Sequence, residues 1–174
     1  ITEFPQEADA ILAAAEAKGL KIAVAHTRRF MDHFLRMKTL LAEDYLGDVL
    51  DVRFQGKQDA RVGGEDLIVL GSHDMDLMRW FWGDPQWCFA TVTANGNPIT
   101  AADIRPGLSE PYTVAGDTIH AEYRFAHNLQ CRWLSIKAPD WNRSIQVGNQ
   151  SANKWGFDIY GTKQVLEMIR TEFP

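Results

Sequence analysis

The sequence predicts an α+β fold: a mostly antiparallel sheet with helices on one face. Three observations predict it. Residues 50–54, 119–125 and 129–133 alternate apolar and polar, the pattern of strands covered on one face. Residues 30–42 and 72–81 place apolar side chains at helical spacing. After Pro85, strand-like stretches dominate the rest of the chain.

The elements follow in order. Pro5 suits the first turn of a helix, and Ala8, Ile11, Leu12 and Ala15 keep its spacing until Lys18-Gly19 stops it. Leu20 to Ala25 is a continuous apolar run, read as a strand buried on both faces; with the helix before it, it looks like the tail of an α/β unit. Phe30, Phe34, Met37 and Leu41 line one face of a second helix, with Leu40 beside them. Beyond Gly47, Leu50, Val52 and Phe54 point one way, and Asp51 and Arg53 the other. A third helix spans about Ser72 to Phe81 and stops at Gly83-Asp84-Pro85. Trp87 to Ala94 is a strand, and Asn95 to Gly116 a long excursion. Ile119 to Phe125 and Leu129 to Ile136 form a hairpin around Ala126-His127-Asn128. Short strands follow near Ser144 to Val147 and Phe157 to Tyr160, and Gly161-Thr162 leads into residues 163–169.

Composition narrows the partners. A net charge of -5 over 174 residues gives no general attraction to nucleic acid or anionic membrane. The apolar runs fall far short of the roughly 20 residues of a membrane span. Cys88 and Cys131 both sit in strand-like stretches as small hydrophobes, which fits a reducing, cytoplasmic setting.

Gly63-Gly64-Glu65-Asp66-Leu67-Ile68-Val69-Leu70-Gly71-Ser72-His73-Asp74-Met75-Asp76-Leu77, closing at Trp82-Gly83-Asp84-Pro85, resembles a segment of the glucose-fructose oxidoreductase / inositol dehydrogenase (Gfo/Idh/MocA) family. Ala25-His26-Thr27-Arg28-Arg29-Phe30, residues 116–128 and Phe157-Asp158-Ile159-Tyr160-Gly161-Thr162 fall in the family's order. The resemblance implies a two-domain oxidoreductase, with an N-terminal Rossmann domain for NAD or NADP and a C-terminal domain of the dihydrodipicolinate-reductase-like type. Residues 1–28 would be the remnant of the dinucleotide-binding domain, and 29–174 the substrate-binding and oligomerisation domain. No Gly-x-Gly-x-x-Gly follows a strand, so no NAD(P) site is expected in this chain alone. It is expected neither to bind the cofactor nor to oxidise sugars by itself. Residues 1–25 are expected to pack poorly, having lost the sheet they belong to. The resemblance also implies dimers or tetramers through the sheet, whose open face carries Gln130, Arg132 and Leu134.

His73 is the candidate catalytic residue, a neutral imidazole able to deprotonate a sugar or polyol hydroxyl. The family's Glu-Lys-Pro triplet aligns with Glu3-Phe4-Pro5, and the Asp four residues before its His with Val69, so two proton-transfer groups are replaced. His26, Arg28 and Arg29 fall where the chain would pass the interdomain cleft, as candidate substrate contacts or ion-pair partners. Lys57, beyond the first alternating strand, is another candidate cation. Trp141-Asn142-Arg143 offers a ring face and donors and is left unassigned. Glu65, Asp66, Asp74 and Asp76 surround a helix start, where capping and solvation account for them, and no metal site is expected. Two readings follow: the substrate-side domain of an NAD(P)-dependent oxidoreductase acting on a sugar, polyol or related hydroxy compound by hydride transfer, or a noncatalytic oligomerisation or ligand-binding module of the same fold. Phe4 and Val69 favour the second.

Overall fold

The computed structural model describes the chain apart from residues 1, 3, 57–60, 109–110, 138–145, 148–149, 152–154 and 171–174. Lys57 and Trp141-Asn142-Arg143 lie outside the described residues, as does Ser144 at the start of one expected strand.

Alternation of apolar and polar residues builds the centre of the molecule. β1 (Val49–Gln55), β2 (Trp87–Ala94), β6 (Thr118–Arg124), β7 (Gln130–Ser135), β10 (Trp155–Gly161) and β11 (Val165–Arg170) join the short β3 (Asn97–Pro98) in a seven-stranded sheet ordered β11-β10-β1-β7-β6-β2-β3. The β1–β7 pair is parallel and the other pairs are antiparallel. One face is dry: Val52, Cys131, Trp133 and Ile159 have no exposure, and Phe54 and Phe157 almost none. Each such side chain contributes about 1.5–3 kcal/mol by leaving water.

Two helical layers cover that face. α2 (Asp32–Ala42) buries Phe34 and Met37, and Phe34 stacks on Phe157 at 5.7 Å between centroids. α4 (Ser72–Trp82) buries Leu77 and Met78 and ends at Gly83, whose φ of 81° an L side chain rarely adopts. The α4 helix starts earlier than its apolar spacing predicts. A one-turn α3 (Gly64–Asp66) and a π-helical segment (Leu67–Gly71) run into it without a break. Wider turns of this kind are rare and cluster at functional sites.

Three local expectations are corrected. Leu20 to Ala25 forms no strand, and Leu20, Ile22 and Val24 are 47–62% exposed, because no strand among the described residues pairs with them. Phe30 is 80% exposed in a 3-10 turn (Thr27–Phe30), and α2 begins two residues later, so Phe30 leaves the expected face. Leu50 is 56% exposed because a bulge between Val49 and Asp51 turns it to the open side of the sheet. Val49 packs against the core instead.

The α1 helix (Pro5–Ala17) forms as expected but buries no residue, and Glu7 reaches back to cap the Phe4 amide. The excursion 95–116 contains a small hairpin, β4 (Arg105–Pro106) with β5 (Thr113–Val114). The hairpin turn at 126–128 places His127 and Asn128 at positive φ. A further two-strand pair is β8 (Gln146–Val147) with β9 (Gln150–Ser151).

Candidate active site at the start of α4

Two short segments far apart in sequence meet over one edge of the buried face. The 3-10 turn supplies Arg28 and Arg29, and the first five residues of α4 supply His73, Asp74 and Asp76. Arg28 pairs with Asp74, and both side chains are almost fully buried. The second oxygen of Asp74 accepts the Trp133 indole N–H at 3.0 Å. Arg29 grips Asp76 through both nitrogens of its fork, with Nε at 2.7 Å. This paired arrangement fixes the turn to the helix, because planar guanidinium and carboxylate match in geometry.

Capping and solvation were the expected roles of Asp74 and Asp76. The structure corrects this: both are spent on arginines some 46–47 residues earlier. Glu65 is likewise no surface carboxylate. It is fully buried, accepts the Leu108 amide at 2.7 Å and stands 3.5 Å from Arg105, so it ties the excursion to the helix start. Nothing local in the sequence marks these pairings, since both partners of each are ordinary surface types. Among the described residues, no three His, Cys, Asp or Glu side chains converge as a metal site.

His73 and His26 occupy the space between the two arginine pairs. Their rings meet edge to face, with centroids 5.7 Å apart, and the Nδ1 atom of each is buried without a hydrogen-bond partner. Asp76 Oδ2 stands 3.8 Å from His26 Nδ1. Burial pushes His73 below the usual histidine range; Arg28 and His26 push the same way, and Asp76 opposes them. His73 is therefore a neutral acceptor at neutral pH. For Asp74, burial lifts the carboxyl to about 6 against the pull of Arg28 and Trp133.

Of the expected site residues, His26, Arg29 and His73 come together. Arg28 joins them but is closed off by Asp74 and Trp133, leaving it a structural job. Val69 is half-buried in the π segment, while Phe4 is 57% exposed at the start of α1.

A nicotinamide dinucleotide needs a backbone cradle for its pyrophosphate at a helix start. The Gly63-Gly64 pair opens α3, yet a Cβ on Gly63 would meet the Gly116 carbonyl, and one on Gly64 the Ala115 carbonyl. The 115–117 backbone already fills that concavity. These residues do not fit the cofactor's phosphates.

A family model described as the GFO/IDH/MocA C-terminal domain matches residues 34–167. The scyllo-inositol 2-dehydrogenase (NADP(+)) IolW of Bacillus subtilis is 29% identical over 116 residues, covering 59% of this chain and 32% of the relative. An NAD binding oxidoreductase from Klebsiella pneumoniae shares the fold at a TM-score of 0.63 and 17% identity, over 94% of this chain and 44% of that one. Apo scyllo-inositol dehydrogenase from Lactobacillus casei gives 0.58 and 20%, over 87% and 41%. The chain thus spans about a third of the curated relative and about two fifths of these structures. With the model match covering most of its length, the chain belongs to the GFO/IDH/MocA C-terminal domain family.

Proposed function

We propose that this chain is the substrate-side domain of an NAD(P)-dependent oxidoreductase acting on a sugar, polyol or related hydroxy compound. The observation that carries the reading is His73, an imidazole at the head of a helix that burial, Arg28 and His26 all push toward the neutral form. Such a base accepts the proton of a ligand hydroxyl. The cofactor, bound outside these residues, supplies the hydride acceptor. Residues 1–28 are read as the tail of its domain, and 29–174 as the substrate and oligomerisation domain. His26 and Arg29 orient the substrate, and Arg28 holds the turn that carries them. Similarity to a scyllo-inositol 2-dehydrogenase (NADP(+)) supports a small polyol as the substrate class.

The same reading pairs copies of the chain through the open sheet face, as a dimer or tetramer. That face holds a concavity of about 450 Å³ lined by Phe89, His120, Glu122, Arg132 and Leu134. Glu122, Arg132, Arg53 and Asp158 form one row across four strands, carrying both signs of charge. Aromatic and Arg side chains of this kind suit an interface core better than bulk water. Light scattering at micromolar concentration returns a dimer or larger, and a monomer there would end this part of the reading. A cytoplasmic location suits the free Cys88 and Cys131.

A titration of the full-length protein with NAD(H) and NADP(H), followed by a sugar and polyol screen, tests the activity. The expected result is polyol-dependent cofactor reduction that His73→Gln abolishes. A full-length protein that binds neither cofactor would leave the noncatalytic module, which Phe4 and Val69 favour.

A further inference from the structure

His26 belongs to the coil before the 3-10 turn and His73 to the first turn of α4, so their meeting is a product of the fold. Two buried imidazole nitrogens without partners, on rings in contact, are costly to keep and call for an explanation. The groups around them limit what the rings can carry. Arg28 and Arg29 face them from the turn, and Asp74 and Asp76 from the helix. Asp74 is committed to Arg28 and Trp133. Asp76 is shared, holding Arg29 while standing 3.8 Å from His26 Nδ1. One carboxylate therefore holds one arginine, stands near one imidazole and acts on the other only through its charge. A proton on either ring opposes a proton on the other across a short, poorly hydrated gap.

We infer that His26 and His73 form one acid–base unit holding at most one proton, with His26 as the positioning partner of His73. This rests on the proposed function for the identity of His73 as the base. In the unit, His73 takes the proton of the bound hydroxyl while His26 stays neutral. Asp76 and Arg29 keep the His26 ring against it.

Histidine ring resonances of this chain, followed by NMR against pH, test the unit. His73→Gln identifies the His73 signal. His26→Gln removes a neighbour that disfavours protonation, so the His73 midpoint rises by roughly half a unit or more. Asp76→Asn removes a favourable neighbour and lowers it. Opposite signs are not the mark of a general loss of packing, and His26→Asn repeats the first arm with a smaller side chain. A His73 midpoint unmoved in both His26 variants overturns the inference. In the full-length protein, His26→Gln moves the acid limb of the kcat/KM profile upward with the NMR midpoint. If no polyol is oxidised yet the NMR shifts occur, the functional reading fails and the unit stands. If oxidation depends on His73 but its midpoint ignores His26, the unit fails and the functional reading stands.

Discussion

Residues 20–25 and 129–135 are both short stretches rich in apolar residues, and the structure treats them oppositely. Leu129, just before β7, and Cys131 and Trp133 within it are 0–5% exposed; before the 3-10 turn, Leu20, Ile22 and Val24 are 47–62% exposed. β7 lies between β1 and β6, with α4 placing Asp74 against its indole. Residues 20–25 have no neighbouring strand among those described. Apolar character thus makes a strand only where hydrogen-bonding neighbours exist on its edges.

Changes to the buried run should cost most. Trp133→Ala removes the largest side chain of the core and strips Asp74 of its indole donor. Denaturant unfolding should show a loss of about 3–5 kcal/mol, and a loss below about 1 kcal/mol would mean that β7 is not the centre of the core. Asp74 gives the next effect, read against pH. Its carboxyl is raised to about 6 in the folded chain, so the native state binds more protons than the unfolded one above the ordinary carboxylate range. The sign follows: relative to Asp74→Asn, the wild type loses stability as pH rises from about 4 to 6, by up to about 3 kcal/mol, and is level on either side. A difference that grows with pH over that window would reverse the assignment.

Gly63→Ala comes third. Its φ is 65°, and a Cβ would run into the Gly116 carbonyl. A cost of about 1–3 kcal/mol is expected in thermal unfolding. The exposed run closes the series: Ile22→Ser with Val24→Ser should change the stability of this chain by less than about 0.5 kcal/mol. A larger loss would show that residues 20–25 pack against the sheet domain after all.

Much of the sheet was legible before any coordinates. Period-two alternation in 119–125 and 129–133, with Ala126-His127-Asn128 between, marks a hairpin whose inner residues can be named in advance. Leu50 shows where this stops, because a bulge shifts the register by one residue and no residue type announces it. Phe30 shows a second limit: the helical spacing extends through it, but the chain enters α2 by a 3-10 turn that points it outward. The candidate site was legible in part. His73 stands out by its motif and Arg28-Arg29 by position, whereas the π segment leading to the site left no trace in the periodicity.

The sequence by itself determined the class of fold, the strands at the centre of the sheet, the stop of α4 at Gly83 and the family to which the chain belongs. Those follow from short-range rules of spacing, turn residues and motif. Only the tertiary structure decided that Asp74 and Asp76 serve Arg28 and Arg29, that Glu65 is buried under the excursion, and that His26 lies against His73. Each of these contacts joins residues some 40 or more positions apart. A charge or an imidazole is compatible with water wherever it falls, and its partner is chosen by how the layers pack, which no local pattern encodes.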